Sequence, residues 1–246
     1  MKELYEGYDK HFMRTRHSIQ DLKLTNMQSR KRPEWLTENY SERILDIGCG
    51  WGNQLQNMWI AGYRNLVGID LSENMCMKAK ENLPEEIEII CTDAFEYLAD
   101  KEDEFGLITM FHFIEHMTID DAIILLKLCK KALKVNGAIV ILAPNMANII
   151  SIYGRYIDAT HLQGYTEWSI YQVLDLAGFS DHQIMREKVF SYSRWKENMT
   201  MKRFWRGLGL RYLINKMLHE VLYFIANQTP RPTIYSITFI VKSWNK

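Results

Sequence analysis

Apolar positions along the chain follow two regimes. Up to about residue 40 they recur at helical spacing, over Leu4 to Leu24 and again over Arg30 to Tyr40, with Pro33 in the first turn of the second segment. From residue 43 they gather into short runs rich in β-branched side chains: RILDI (43–47), NLVGID (65–70), IEIICTD (87–93), FGLITMF (105–111) and GAIVILA (137–143). Stretches of helical period separate them, at about 53–61, 73–82, 95–100 and 118–134. A continuous apolar run suits a strand buried on both faces. The alternation therefore predicts a doubly wound α/β fold, a parallel sheet between two helical layers joined by right-handed crossovers.

The later chain reads differently. TEWSIYQVLDLA (166–177) has helical period and Gly178 stops it. Strands are expected near 180–190 and 233–242, with a helical stretch over Met199 to Ala226 between them, and Pro230 and Pro232 mark the return to extended chain. The expected division is N-terminal helices over 1–40, a core over 41–192, a helical insertion over 193–229 and a final core strand over 230–246.

Composition narrows the class. The 246 residues, 47% hydrophobic and 24% charged, can bury a real core, which excludes disorder and a small disulfide scaffold. Thirty Lys+Arg balance thirty Asp+Glu, so nothing in the net charge points to nucleic acid. The charge is uneven, however. Residues 186–216 hold nine basic side chains against Glu187 and Glu197, leaving 21 basic and 28 acidic residues elsewhere, a net of −7. Cys49, Cys76, Cys91 and Cys129 share no C-x-x-C spacing, which fits a reducing compartment, and no metal ligand set is assigned. The charged start MKELYEGYDKHF is unlike a signal peptide, and no run reaches the ~18 apolar residues of a membrane span. The expectation is a cytoplasmic protein.

The first strand-to-helix turn, ILDIGCGWGNQL (44–55), carries Gly48, Gly50 and Gly52. Residues without Cβ there let a ligand approach the backbone at a helix N-terminus. A dinucleotide loop is normally spaced G-x-G-x-x-G. Here the spacing is G-x-G-x-G, and Asp46 precedes it, where a carboxylate would repel a diphosphate and favour a ligand carrying an ammonium and a sulfonium. Asp70 ends the second strand, where it can accept both hydroxyls of a ribose, and Asp93 ends the third, where it can accept from an adenine amine. For each acid a helix N-cap is the competing reading.

ILDIGCGWG, GID, CTDAFEYL, FGLITMFHFIEHM and LKVNGAIVILAPN, in this order, resemble the motifs of S-adenosylmethionine-dependent methyltransferases with a Rossmann-like sheet, over about residues 40–190. The resemblance implies seven strands, one of them antiparallel near the C-terminus, and S-adenosylmethionine as cofactor. It places Asp46, Gly48 and Gly50 at the methionine end, Asp70 at the ribose, and Asp93 with Ala94 at the adenine, with Gly52 and Leu71 as further cofactor-binding residues. Phe111 and His112 would close over the sulfur, and YEGYDKHF resembles a lid helix with Tyr8 over the cofactor.

A hydroxyl acceptor needs a base, and histidine suits neutral pH. Candidates lie in HFIEH (112–116) and DATHLQGYT (158–166). HFIEH matches the H-x-x-E-H pattern of zinc peptidases, but that pattern needs a long helix, and here it follows a strand. DATHLQGYTEWSIYQVLDLAGF resembles a segment bordering the acceptor pocket in methyltransferases of bacterial surface-polysaccharide gene clusters, with Ala159 where proline is commoner. The expected catalytic groups are His161 with Asp158 supporting it, and His116 as the rival base. Arg155, Tyr153 and Tyr165 are candidate pocket residues.

The proline-rich strand-four motif of nucleic-acid amine methyltransferases is missing from FHFIEHM, so the expected acceptor is a saccharide or other small molecule. The insertion either packs its apolar face on the core or a second copy of the chain, or docks basic residues of 194–216 on a membrane or anionic carrier. A nicotinamide enzyme and a non-catalytic binding module are the alternatives to a methyltransferase.

Overall fold

The computed structural model describes residues 33–186, 210–227, 229–234 and 236–246. The elements, numbered among these residues, are β1 (Ile44–Ile47), α1 (Asn53–Ile60), β2 (Leu66–Asp70), α2 (Glu73–Asn82), β3 (Glu88–Cys91) and α3 (Ala94–Leu98). There follow β4 (Phe105–Phe111), α4 (Ile119–Ala132), β5 (Leu133–Pro144), α5 (Ser151–Tyr156), α6 (Glu167–Leu176), β6 (Ser180–Arg186), α7 (Leu210–Ile225) and β7 (Thr238–Trp244). The seven strands form one sheet in the order β3-β2-β1-β4-β5-β7-β6. The first five are parallel, and β7 runs antiparallel to both β5 and β6. The α/β class, the seven-stranded sheet and the insertion before the last strand are as the chain pattern predicts.

The sheet separates two cores. On one face Leu45, Ile47, Ile108 and Met110 pack with Leu98, Leu125, Leu126 and Leu174, from α3, α4 and α6. On the other, Ile44, Leu107 and Val140 pack with Leu55, Met58, Cys76 and Ala79, from α1 and α2. Helix starts follow local chemistry. Thr118 caps α4 through Asp121 N–H, acids Asp120 and Asp121 occupy its first turn, and Lys130 and Lys131 its last, matching the helix dipole. Thr166 and Ser169 form a reciprocal capping box on α6.

Several boundaries differ from expectation. Residues 33–40, expected to continue a helix, form turns. The Leu36 N–H donates to the Pro33 carbonyl, Asn39 N–H to Thr37 Oγ1, and Ser41 N–H to Asn39 Oδ1. Such short polar side chains compete with helical hydrogen bonding, and Trp35 and Leu36 are buried against the sheet instead. Strand β5 begins at Leu133, because Leu133 pairs with Phe105 ahead of a register shift, so α4 ends two residues early. Helix α5 was not anticipated. The lid helix, Tyr8 and residues 187–209 of the basic segment lie outside the described residues.

Helix α7 touches the body through polar contacts. His219 Nε2 accepts the Ile149 N–H at 2.9 Å, and Tyr223 donates to the Ala147 carbonyl at 3.1 Å. Met217, Leu218, Val221, Phe224 and Ile225 remain exposed among the described residues. No helix among the described residues is long and apolar enough to cross a membrane.

Candidate active site

Strand order reverses between β1 and β4, and a parallel sheet opens a crevice at the carboxyl ends of such a strand pair. Gly48, Gly50 and Gly52 form the loop leaving β1 there, with φ of 69°, 54° and 81°. A Cβ on Gly48 would meet Phe113 Cδ2 at 2.4 Å, so this glycine permits close packing as well as left-handed backbone. Gly50 differs: a Cβ there would point into open space, with no heavy atom within 4 Å. Backbone bare of side chains thus faces the crevice.

Two carboxylates hold this loop. Asp70 Oδ2 accepts the Gly50 N–H and Oδ1 the Ser72 N–H, both at 2.9 Å. Burial raises the Asp70 pKa, opposed by those two bonds. Ser72, rather than Asp70, caps α2. Asp46 lies beneath the loop at 3% exposure, its Oδ1 accepting from Thr109 Oγ1 at 2.6 Å. Desolvation pushes its pKa up to about 7; the Thr109 bond lowers it and the nearby Asp70 charge raises it. Among the described residues no lysine or arginine pairs with either acid. A ligand bearing positive charge would supply what the protein omits.

Asp93 takes the role of an N-cap, accepting from Phe95 and Glu96 N–H at 2.8 and 3.3 Å, with Ala94 buried behind it. Leu71 is 61% exposed beside Asp70 and offers an apolar surface at the crevice. Phe111 turns its ring edge-to-face onto Trp35, centroids 5.2 Å apart, and so belongs to the α1–α2 side of the sheet. His112 is in left-handed backbone at φ 55°, its Nδ1 3.2 Å from Glu115 Oε1.

The rival histidines converge. A single 3₁₀ turn, Ile114–His116, follows β4, and the loop after α5 returns to it through the Leu162 and Gln163 N–H groups, which both donate to the Glu115 carbonyl. The rings of His116 and His161 meet edge-to-face, centroids 4.7 Å apart. Asp158 is linked to both histidines: its carbonyl accepts the His161 backbone N–H at 3.2 Å, and its carboxylate reaches His116 through Thr160. Its Oδ1 accepts from Thr160 Oγ1 at 2.6 Å, and that oxygen lies 2.8 Å from His116 Nδ1. The Thr160 hydroxyl has one proton, so with that proton on Asp158 it accepts from His116 Nδ1–H. His161 Nδ1 instead reaches the Gly154 carbonyl at 3.1 Å. A carbonyl only accepts, so the Nδ1 nitrogen of His161 carries the proton too. Desolvation holds the His116 pKa down, keeping the ring neutral.

Sequence reasoning missed one partner of this cluster, Glu115, and named Tyr165 only as a pocket residue. Glu115 is 1% exposed, and its Oε2 has no hydrogen-bond partner among the described residues. The hydroxyl of Tyr165, 1% exposed, has none either; burial and then the Glu115 charge push its pKa up to about 12. Its place inside HFIEH, between Ile114 and His116 just past a strand, was the available signal for Glu115. Of the other pocket candidates, Tyr153 is 73% exposed, and Arg155 donates to the Leu162 carbonyl at 2.8 Å, bracing the loop.

A family described as a methyltransferase domain matches residues 44–137. Among solved structures, a SAM-dependent methyltransferase from Archaeoglobus fulgidus shares 25% identity over 83% of this chain and 86% of that one, with a TM-score of 0.60. A SAM-dependent methyltransferase from Thermotoga maritima shares 15% identity, covering 84% and 83%, at TM-score 0.55. The Haemonchus contortus phosphoethanolamine N-methyltransferase 2, in complex with S-adenosyl-L-methionine, shares 18% identity over 85% of this chain and 50% of that one, also at 0.55. No curated protein matches the chain by sequence. The fold is that of class I SAM-dependent methyltransferases.

Proposed function

We propose that this chain transfers the methyl group of S-adenosylmethionine to an oxygen of a small acceptor, and that the acceptor is a saccharide, or a sugar-linked phosphate or phosphoramidate, of a bacterial surface-polysaccharide precursor. The observation that carries the reading is the juxtaposition of a bare glycine loop over the uncompensated Asp46 with a histidine pair one strand away.

The donor residues fit the cofactor. Gly50 leaves room for it, Asp46 and Asp70 attract its positive charge, and Leu71 offers an apolar surface beside Asp70. The cofactor supplies an already activated methyl group, so positioning provides most of the acceleration. On the acceptor side, the hydrogen bonds at Nδ1 leave Nε2 of His116 and of His161 as the lone-pair nitrogens. A hydroxyl must lose its proton as the new bond forms, and these nitrogens face that task. A phosphoryl oxygen is already ionised and needs no such help. The saccharide assignment rests on the DATHLQGYT resemblance and on the polar, aromatic lining that Tyr165 and the histidines provide.

Calorimetric titration of the full chain with S-adenosylhomocysteine and with NAD tests the cofactor; only the former should bind. Methyl transfer from labelled S-adenosylmethionine to a panel of nucleotide sugars and phosphosugars tests the acceptor. Turnover confined to non-saccharide acceptors would replace the polysaccharide reading with a methyltransferase of another pathway. Binding of NAD alone would remove the enzyme class altogether.

A further inference from the structure

We propose that Glu115, His116 and His161 form a binding site for a divalent transition-metal ion, placed where the methyl acceptor must dock. This rests on and deepens the methyltransferase reading, and assigns ligands where the sequence assigned none.

The three residues each offer a ligand atom, all within 4.8 Å of one another. Bonds of about 2.0–2.2 Å place ligand atoms around one ion roughly 3–4 Å apart, so sub-ångström side-chain shifts close the set. The hydrogen bonds around the cluster are those a metal site requires. A ligating histidine donates its other ring N–H to a carboxylate or a carbonyl, which fixes the ring and its tautomer. His161 does so to the Gly154 carbonyl, and His116 reaches the Asp158 carboxylate through the Thr160 hydroxyl. Both rings therefore turn Nε2 lone pairs away from those anchors. His112 holds Oε1 of Glu115, and the remaining Oε2 is buried with no partner among the described residues. A buried carboxylate oxygen without a partner is costly unless a cation or a donor joins it.

Two histidines and one carboxylate suit zinc, manganese or iron and leave coordination positions open. With the ion bound, the two Nε2 lone pairs ligate it and no longer act as bases; an acceptor hydroxyl entering an open position would have its pKa lowered by the ion and lose its proton to water instead. The acceptor oxygen would then form its bond to the methyl carbon while the carbon–sulfur bond breaks, its electron pair staying on sulfur. The buried Tyr165 hydroxyl, electrostatically coupled to Glu115, is placed to donate to an oxygen held there.

The test is calorimetric titration of tag-free, EDTA-treated full chain with MnCl2 and with ZnCl2, alongside S-adenosylhomocysteine as an independent ligand and circular dichroism as a check of folding. One ion per chain is expected. Glu115→Gln and His161→Ala should each weaken ion binding by about 100-fold or more, and Thr160→Val, which touches only the anchor, by about 10–100-fold. Affinity for S-adenosylhomocysteine should stay within about two-fold of the parent, since none of these side chains contacts the glycine loop. Should buried Glu115→Gln unfold, His161→Ala carries the comparison. Failure of both ions to bind the parent, or undiminished binding in His161→Ala, overturns the site. Ion binding without S-adenosylhomocysteine binding would leave the site standing and overturn the methyltransferase reading alone.

Discussion

Thr109 on β4 donates its hydroxyl proton to Asp46 on β1 at 2.6 Å, and the two are register partners across the strand pair where the sheet reverses its order. The bond ties the acid under the cofactor loop to the strand that leads into the histidine cluster. It also sets how strongly burial can suppress the Asp46 charge.

A pH dependence follows. Asp46 has a folded pKa raised to about 7 from 3.8, so the free protein holds a proton there that the unfolded chain has lost. Its contribution to stability is full at low pH and falls as pH rises from about 4 to about 7. A cationic ligand prefers the ionised form, so cofactor affinity should rise over the upper part of that range and level off above it. The ligand's own α-amino group deprotonates at about 7.7–8.0, which bounds the plateau. Calorimetry at about pH 6 in buffers of different ionisation enthalpy should register close to one proton released on binding. Thr109→Val should move the midpoint up, and Asp70→Asn, which removes a neighbouring charge, should move it down. Asp46→Asn should abolish the release; release persisting in that variant would assign the proton elsewhere.

The loop glycines separate packing from binding. Gly48→Ala brings a methyl into Phe113 on left-handed backbone, and should cost about 2–4 kcal/mol in urea denaturation. Gly50→Ala meets nothing in the protein, so only its backbone strain, about 1–2 kcal/mol, should appear. Its methyl occupies the ligand's approach, and S-adenosylhomocysteine affinity should fall at least about 10-fold. Equal affinities for parent and Gly50→Ala would place the cofactor somewhere other than this loop.

Tyr165→Phe removes a buried hydroxyl that satisfies no donor or acceptor among the described residues. Deleting such a group should leave the melting temperature unchanged or raise it, by the equivalent of about 1 kcal/mol. Turnover should nonetheless drop by about 10-fold or more, if the hydroxyl orients the acceptor. A variant both more stable and fully active would make Tyr165 a packing residue.

Asp70→Asn tests the loop anchor. The amide can keep one of the two backbone bonds but presents N–H to the other donor, so stability should drop by about 1–3 kcal/mol, read by urea denaturation. Cofactor affinity should weaken by at least about 10-fold in the same preparation. Wild-type affinity in a destabilised protein would confine Asp70 to loop bracing.

The parallel half of the fold was legible because its inner strands, β1, β2, β4 and β5, are largely buried, and a run such as FGLITMF, short and bounded, suits that placement. The same logic hid Thr109, whose hydroxyl sits in an apolar run and shows its purpose only through Asp46 across the strand. The glycine spacing and the acids at strand ends could be read from local chemistry, and Asp93 caps α3 through Oδ1 alone. The histidine cluster could not be read in full. His116 and His161 lie 45 positions apart in sequence, and their 4.7 Å approach depends on the loop hydrogen bonds to the Glu115 carbonyl. Thr160 carries a second link, from Asp158 to His116, that no spacing in the chain announces. Polar short-range turns defeated the helix expected through Tyr40.

Strand β7 lies between β5 and β6 in space but follows β6 in the chain by about fifty residues. Until residues 238–244 are available, β5 keeps an open hydrogen-bonding rim and β6 has no neighbour to lie against. The wall of the sheet beyond the histidine cluster is thus sealed last, whatever order the other elements adopt. A nascent or shortened chain lacking that segment would offer an adhesive border to other molecules while its parallel half was already assembled.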